Sequence, residues 1–137
     1  MSDYAYLICP FAAWLLAGVL KFIINSLRAK TFAFHLIGYG GLPSNHSAIV
    51  SSMVALIALK EGFNHPAIGV AITLAFIVIL DASSLRRQVG RQAAMLNQLA
   101  KTTGHKANLR ERVGHSLIEI ASGVLVGIVT AVMVHSI

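Results

Sequence analysis

The sequence predicts an all-α integral membrane protein, a bundle of about four transmembrane helices with an additional amphipathic helix at the membrane interface. Two observations predict this fold class. Of the 137 residues, 56% are hydrophobic and only 12% are charged, which is about half the charged fraction of a soluble domain. The hydrophobic residues are also concentrated in long blocks, as a bilayer requires. A chain of this length suits one compact unit, so residues 1–137 are expected to form a single membrane domain.

Four apolar blocks are the candidate spans. They run from about Tyr4 to Asn25, Ser47 to Leu59, Pro66 to Leu80 and Leu117 to Val134. The first and fourth are long enough for roughly 30 Å of hydrocarbon, whereas the second and third cover only ~20 Å each. Such short blocks would also suit buried helices of a soluble protein. We interpret them as spans that polar ends extend, with Asn45 and His46 joining the second and Asp81 joining the third. Polar groups at membrane depth are costly and usually serve a function.

Two longer connections remain, about residues 26–43 and 84–114. Near the start of the second, Leu85, Val89, Leu96 and Leu99 share one face of a helix. This pattern predicts an amphipathic helix that lies on the membrane surface or against the bundle.

The basic residues indicate the orientation of the chain. Four crossings place both termini on one side and both long connections on the other. Of the 11 lysines and arginines only Lys60 lies with the termini, which leaves ten on the side of the connections. By the positive-inside rule this side is cytoplasmic, although a phosphate site would add to the same count. We therefore expect a bacterial-type inner or cell membrane, with the active site facing the cytoplasm. The net charge of +6 then faces anionic lipid, and no nucleic acid partner is expected.

Residues that can carry chemistry fall at the span ends that face this same side. His46 and His115 each open an apolar run, while Lys21, Arg28 and Asp81 lie where other runs end. Random placement would divide these residues between the two faces of the membrane. Their convergence therefore predicts one site.

The residue types in this group are suited to phosphoryl transfer. Ser44 or Asn45 can cap the second helix, whose free N–H groups attract anions. Glu119 lies four residues after His115, so its carboxylate can orient the imidazole and make it a better nucleophile. Lys21 and the arginines can stabilise the charge of a phosphoryl group. The sequence has no aspartate-rich cluster suited to magnesium and a single cysteine, so we expect neither a metal nor another cofactor.

The order of these residues resembles the type 2 phosphatidic-acid phosphatase superfamily, which includes the vanadium haloperoxidases. That superfamily carries three motifs, K-x6-R-P, P-S-G-H and S-R-x5-H-x3-D. The segment KFIINSLRA is similar to the first motif with Lys21 and Arg28, PSNH to the second with Ser44 and His46, and HSLIE to the end of the third with His115 and Glu119. The resemblance extends over about residues 21–127 and identifies the chain as a divergent member.

Several positions depart from these motifs. Ala29 replaces the proline, Asn45 the glycine and Glu119 the aspartate, and Leu109 stands where the third motif has its arginine.

The charge of that arginine can come from two places. Arg110 or Arg112 can replace it after a local shift, or Arg86 and Arg87 can supply it from the preceding connection. Asp81 can orient one of these arginines.

The resemblance implies that His115 attacks phosphorus to form a phosphohistidine and that His46 protonates the leaving oxygen, with Glu119 orienting His115. Such a bridge requires the two rings to lie roughly 5–7 Å apart. The residues expected to bind substrate are Lys21, Arg28, Ser44, Asn45, Asp81, Arg86, Arg87 and Arg110.

The predicted function is thus a membrane-embedded phosphatase that hydrolyses a lipid phosphate or pyrophosphate monoester without metal. The alternative is a non-enzymatic phospholipid- or anion-binding or transport protein that retains the phosphate cage. A vanadate-dependent peroxidase is a third, less favoured interpretation. The expected partners are membrane lipids, a lipid phosphate substrate and a second copy of the chain in a homodimer. Gly123 and Gly127 form a small-xxx-small pattern that predicts helix packing, within or between chains.

Overall fold

The computed structural model describes residues 4–32 and 41–137, and the regular secondary structure of this part of the chain is all helical, without a β-strand. Its five α-helices are α1 (Ala5–Ala29), α2 (Asn45–Glu61), α3 (Pro66–Leu80), α4 (Arg86–Thr102) and α5 (Leu117–Ser136). A π-helical segment, Asp81–Leu85, joins α3 to α4. The predicted all-α class is confirmed. Residues 33–40 of the first long connection lie outside the described residues.

Three helices in the described ranges are long and apolar enough to cross a membrane. They are α1, α5 and the continuous helix Pro66–Thr102, which comprises α3, the π-helical segment and α4. Their outer faces carry large exposed apolar side chains such as Phe11, Leu74 and Leu125, as lipid-facing surfaces do. The prediction of a helical membrane bundle is confirmed.

Helix α2 is the inner helix of this bundle. It has 17 residues, about 25 Å at 1.5 Å per residue, and it packs against α1, α3 and α5. Its buried positions include Ser47, Ser51 and Ser52, so small polar side chains mediate these contacts. The short apolar block that predicted this helix therefore contacts protein on several sides, and this accounts for its lower hydrophobicity.

Helices α2 and α5 approach each other closely because α5 has glycines at the contact. A Cβ atom added to Gly123 would lie 2.4 Å from the carbonyl oxygen of Ser44. One added to Gly127 would lie 2.1 Å from Ser51 Oγ and 2.5 Å from the carbonyl oxygen of Ala48. Neither position has room for a side chain, so the small-xxx-small pattern serves helix packing within the chain.

The amphipathic helix differs from the prediction in how it begins. A connection was expected to begin at about residue 84, but α4 continues α3 directly through the π-helical segment. The hydroxyls of Ser83 and Ser84 donate to the carbonyl of Leu80 at 3.2 and 2.8 Å, so this polar stretch is satisfied within the helix. The face that carries Leu96 and Leu99 is exposed, which excludes the alternative that it packs against the bundle.

Candidate active site

The two histidines singled out by the sequence lie side by side. The ring centroids of His46 and His115 are 6.3 Å apart, with the ring planes at 50°. This distance lies within the range of roughly 5–7 Å that a bridging phosphoryl group requires. His46 is the second residue of α2 and is exposed, whereas His115 precedes α5 and is only 8% exposed. The starts of two helices that are distant in sequence therefore bring the two rings together.

Glu119 holds the imidazole of His115. Its Oε2 lies 3.3 Å from Nδ1 of His115 and accepts the backbone N–H of Ser116 at 2.8 Å. The hydroxyl of Ser116 in turn accepts the backbone N–H of Glu119 at 3.3 Å, which completes a capping box. Because a carboxylate only accepts hydrogen bonds, Nδ1 of His115 carries the proton, and Nε2 presents its lone pair.

Burial keeps His115 uncharged. Loss of solvent is the largest cause that lowers the pKa of His115 below its ordinary value of 6.5, and the hydrogen bond to Glu119 opposes it. The positive charges of Lys21 and Arg86 lower this pKa as well. At neutral pH the imidazole is therefore neutral, and this is the form that can attack an electrophile.

The π-helical segment fixes the backbone of His115. In a regular α-helix the carbonyl of Ala82 would accept the N–H of Arg86. Here the N–H of Arg86 donates to the carbonyl of Asp81 instead, and the carbonyl of Ala82 accepts the N–H of His115 at 2.9 Å. The change of helical register thus releases one acceptor, which anchors the residue before α5. Short π-helical segments often occur at functional sites for this kind of reason.

The same register places Arg86 against His46. In π-helical spacing residues five apart are neighbours, and Arg86 Nε donates to Asp81 Oδ2 at 3.1 Å. The Nη2 atom of Arg86 then lies 3.2 Å from Nε2 of His46. Arginine can only donate, so Nε2 of His46 is the acceptor and its Nδ1 carries the proton. Asp81 therefore acts on the histidine pair through Arg86.

Lys21 completes this cluster from α1. Its ammonium group is half-buried and lies close enough to Glu119 for electrostatic attraction. It also acts electrostatically on both His46 and His115. The structure thus brings together six of the predicted site residues: Lys21, His46, Asp81, Arg86, His115 and Glu119.

A basic cleft of about 750 Å³ opens beside His115 and Glu119. Its arginines are Arg28, Arg87, Arg91, Arg110 and Arg112. The predicted residues Arg28, Arg87 and Arg110 therefore line this cleft. Sequence reasoning did not select Asn25 or Arg91, which line it too. Helical spacing could have found both, since Asn25 lies three residues before Arg28 on α1 and Arg91 lies four after Arg87.

Asn97 and Gly90 hold the other wall of the cleft in place. The Asn97 Nδ2 atom donates to the carbonyl of Leu109 and to Glu111 Oε1, both at 2.8 Å, and its Oδ1 accepts the N–H of Leu109 at 2.9 Å. A Cβ atom on Gly90 would lie 2.2 Å from the carbonyl oxygen of Glu111, so only glycine permits this approach. These two residues of α4 fix segment 109–112, and the sequence pattern gave no sign of this role.

Ser44 and Asn45 lie at the start of α2. The side chain of Ser44 is fully buried, and its Oγ accepts from the backbone N–H and the hydroxyl of Ser47 at 3.4 and 3.1 Å. Its hydroxyl thus caps the helix as expected. The amide of Asn45 faces Gly18 of α1, and its buried Oδ1 makes no hydrogen bond within residues 4–32 and 41–137. Direct substrate contact by these two residues stays a prediction.

These observations define the class as a helical integral membrane protein with paired histidines beside a basic cleft. Comparison of sequences then gives the family. A family model described as "Divergent PAP2 family" matches residues 2–130, and the chain belongs to this family. The chain is also 30% identical over 139 residues to the uncharacterized membrane protein YuiD of Bacillus subtilis (strain 168), over 89% of this chain and 88% of that one. No solved structure matches. The resemblance predicted from the motifs is confirmed.

Proposed function

We propose that the protein is a membrane-embedded phosphatase that hydrolyses a lipid phosphate or pyrophosphate monoester through a phosphohistidine, with no metal. The observation that carries this proposal is the 6.3 Å separation of the His46 and His115 rings, flanked by the cations of Lys21 and Arg86. A phosphoryl group between the rings would be reached by one nitrogen from each side. Family membership supports the reaction type.

His115 is the nucleophile in this proposal. Its Nε2 lone pair attacks phosphorus, the P–N bond forms, and the bond from phosphorus to the leaving oxygen breaks. The imidazole gains positive charge as it attacks, and the carboxylate of Glu119 on Nδ1 stabilises that charge. Lys21 and Arg86 stabilise the phosphoryl oxygens in the transition state.

His46 is the acid and then the base. In the structure its Nε2 accepts a hydrogen bond from Arg86, and a bound phosphate would take that guanidinium as its own partner. His46 is then free to take up a proton, which it donates to the leaving oxygen. In the second half of the reaction it removes a proton from water, whose oxygen attacks phosphorus. The P–N bond breaks, phosphate leaves and His115 returns to its neutral form.

Phosphate release by the purified full-length protein tests the proposal. The substrates are lipid phosphates and pyrophosphates in detergent micelles, and His115→Ala is expected to abolish release. The matched control is His105→Ala, because His105 is an exposed histidine in the same connection and its ring contacts only Thr103 among the described residues. Alkaline quenching of a reaction with phosphorus-labelled substrate should trap a labelled protein, and the label should be absent in His115→Ala. Full release by His115→Ala would refute the mechanism.

One observation favours the alternative of an anion-binding or transport protein. Leu109 occupies the position of the third motif's arginine, and both its backbone groups are bonded to Asn97. This anchoring opposes a shift of register that would bring Arg110 into that position. The binding alternative predicts saturable binding of inorganic phosphate without release from any lipid phosphate, and release that depends on His115 would exclude it.

We further propose that the site faces the cytoplasm. Lys21 and the arginines of the site belong to the same basic set that determines orientation by the positive-inside rule. A cysteine at Lys106, in a chain with Cys9→Ala, should react with a membrane-impermeant thiol reagent only in inside-out vesicles. Reaction in right-side-out vesicles would reverse the orientation.

A further inference from the structure

The basic cleft contains more positive charge than the carboxylates of the protein neutralise. Five arginines line this cleft, which has a volume of about 750 Å³. Within the part of the chain that the structure describes, no carboxylate lies within salt-bridge distance of Arg28, Arg87, Arg91 or Arg112. Like charges held this close repel one another, so an anion in the cleft would be strongly favoured.

The four acidic residues of the described ranges each have a partner, and two of them, Glu111 and Glu119, also line the cleft. Asp81 pairs with Arg86, and Glu119 contacts the ring of His115. Glu111 accepts from the amide of Asn97. Glu61, at the far end of α2, accepts the hydroxyl of Tyr6. Five arginines and two carboxylates line the cleft, which leaves an excess of three positive charges that an anionic ligand would neutralise.

A single phosphoryl group does not account for the whole cleft. The group that reacts would lie between the two histidine rings, where Lys21 and Arg86 already provide cations. The cleft extends from His115 and Glu119 toward Arg91 and the segment 109–112. Its volume is in the range of about 300–1,000 Å³ that holds complete small molecules, so it has room for a further part of a headgroup.

We propose that the cleft binds a second anionic group of the substrate, with Arg91 and Arg112 among its ligands. The substrate class is then a lipid with two phosphorus-centred anions: a terminal phosphate between the histidines and a second phosphate joined to it directly or through a short linker. Guanidinium groups suit this task because they bind phosphate oxygens through paired hydrogen bonds. This inference rests on the proposed function and narrows its substrate.

Paired substrates with identical chains test the inference. A polyprenyl diphosphate is compared with the monophosphate, and phosphatidylglycerophosphate with phosphatidate. The wild type should show kcat/KM at least about tenfold higher for the two-anion member, since each charge-assisted hydrogen bond contributes on the order of a tenfold factor. The double variant Arg91→Gln/Arg112→Gln should lose most of this ratio, mainly through KM. The control Lys101→Gln/Lys106→Gln removes the same charge from exposed positions of the same connection and should keep the ratio.

Other outcomes overturn the inference. An equal loss for both members of a pair would mean that the arginines attract the membrane surface or any anion. Preference of the wild type for the single-anion member would show that a second phosphate does not contribute to binding. The polyprenyl pair differs by one phosphate, and the phosphatidyl pair differs by one phosphate with its glycerol linker. Agreement of both pairs therefore supports a second phosphate at either spacing, and agreement of one pair selects that spacing.

A separate measurement keeps the inference independent of catalysis. If no lipid phosphate is hydrolysed, the proposed function fails, and calorimetric binding of inorganic pyrophosphate is compared with that of inorganic phosphate. Pyrophosphate bound at least about tenfold more tightly, with the difference lost in Arg91→Gln/Arg112→Gln, supports a two-anion site. Equal affinities for the two ions refute it.

Discussion

Replacing Glu119 by glutamine removes the charge that the imidazole of His115 contacts and keeps an oxygen that can accept a hydrogen bond. In the structure one carboxylate oxygen accepts both from Nδ1 of His115, at 3.3 Å, and from the N–H of Ser116, at 2.8 Å. The amide oxygen of glutamine can occupy the same place. The capping box and the tautomer of His115 are therefore preserved, and the substitution tests the charge.

The expected size of the effect follows from that contact. A hydrogen bond to a charged partner contributes about 1.5–3 kcal/mol and a neutral one about 0.5–1.5 kcal/mol, so their difference is about 1–1.5 kcal/mol. The imidazole of His115 is charged only after attack has begun, and the lost stabilisation therefore falls mainly on the transition state. At 1.36 kcal/mol per factor of ten, kcat should fall about 5- to 12-fold.

The pH profile gives the decisive measurement. Activity requires neutral His115, whose pKa burial lowers below 6.5, so the acid limb of kcat/KM should lie below that pH. Glu119 raises the pKa of His115 through its hydrogen bond and its charge. Glu119→Gln should therefore shift the acid limb to still lower pH while lowering the plateau. Glu111→Gln removes the other carboxylate that lines the cleft and should leave the limb in place.

A limb that stays in place in Glu119→Gln, or that shifts to higher pH, would refute this reasoning. A decrease in kcat of less than twofold would also refute it, because the carboxylate would then not act on the reacting imidazole. The lowered pKa of His115 also makes the stability of the folded protein depend on pH. A histidine whose pKa is lowered in the folded state binds fewer protons there than when unfolded, so its contribution to stability is complete above pH 6.5 and declines as pH falls below that value.

Three further substitutions test other parts of the site and its support. Gly127→Ala inserts a methyl group where no space exists and should destabilise the protein in detergent by about 1–3 kcal/mol; Gly69→Ala, with nothing near the added atom, should not, and equal melting temperatures would contradict the packing. Asn97→Ala removes the hydrogen bonds that hold segment 109–112 and should increase amide exchange there at least about tenfold, for a loss of about 1–3 kcal/mol. The exposed neighbour variant Gln98→Ala should leave exchange unchanged. Asp81→Asn should reduce kcat/KM about tenfold by weakening the charged contact that orients Arg86, and an unchanged value would exclude that role.

The sequence predicted that His46 and His115 converge at one end of the bundle, whereas their 6.3 Å separation depends on helix packing. Each histidine stands beside a helix start, and the count of crossings places both starts on the same side. The contact of His115 with Glu119 was expected from a shared helical face, but His115 precedes the N-cap Ser116 and lies outside α5. The two side chains still lie 3.3 Å apart, because the capping box directs the carboxylate of Glu119 back toward the residues before α5.

The join between α3 and α4 could not be predicted in the same way. The sequence predicts that the third apolar block ends at Leu80, that polar residues from Asp81 extend the span, and that a connection begins at about residue 84. The structure continues the helix through them by a change of register, whose stabilisation comes from the backbone of His115 and from the side chain of Arg86. His115 is distant in sequence, and the contact of Arg86 with Asp81 depends on the π-helical register. A hydrophobic pattern contains no information about either contact.

The composition of the basic cleft could not be predicted from the sequence either. Sequence alone gives the number of arginines on one side of the membrane, and it does not give which of them meet. Arg110 and Arg112 reach the cleft because Asn97 and Gly90 of α4 anchor their segment. The anchoring residues are Asn97 and Gly90, and neither residue type by itself indicates a binding site.

The distance between the two histidines depends on packing that lies beneath the site. The backbone N–H of Ser44 donates to the carbonyl of Glu119 at 2.9 Å, which ties the start of α2 to the first turn of α5. That bond can form only because Gly123 has no side chain to separate the helices. His46 lies two residues after one end of the bond and His115 lies four before the other. A glycine about two turns into α5 therefore determines whether the two rings can reach the same phosphoryl group.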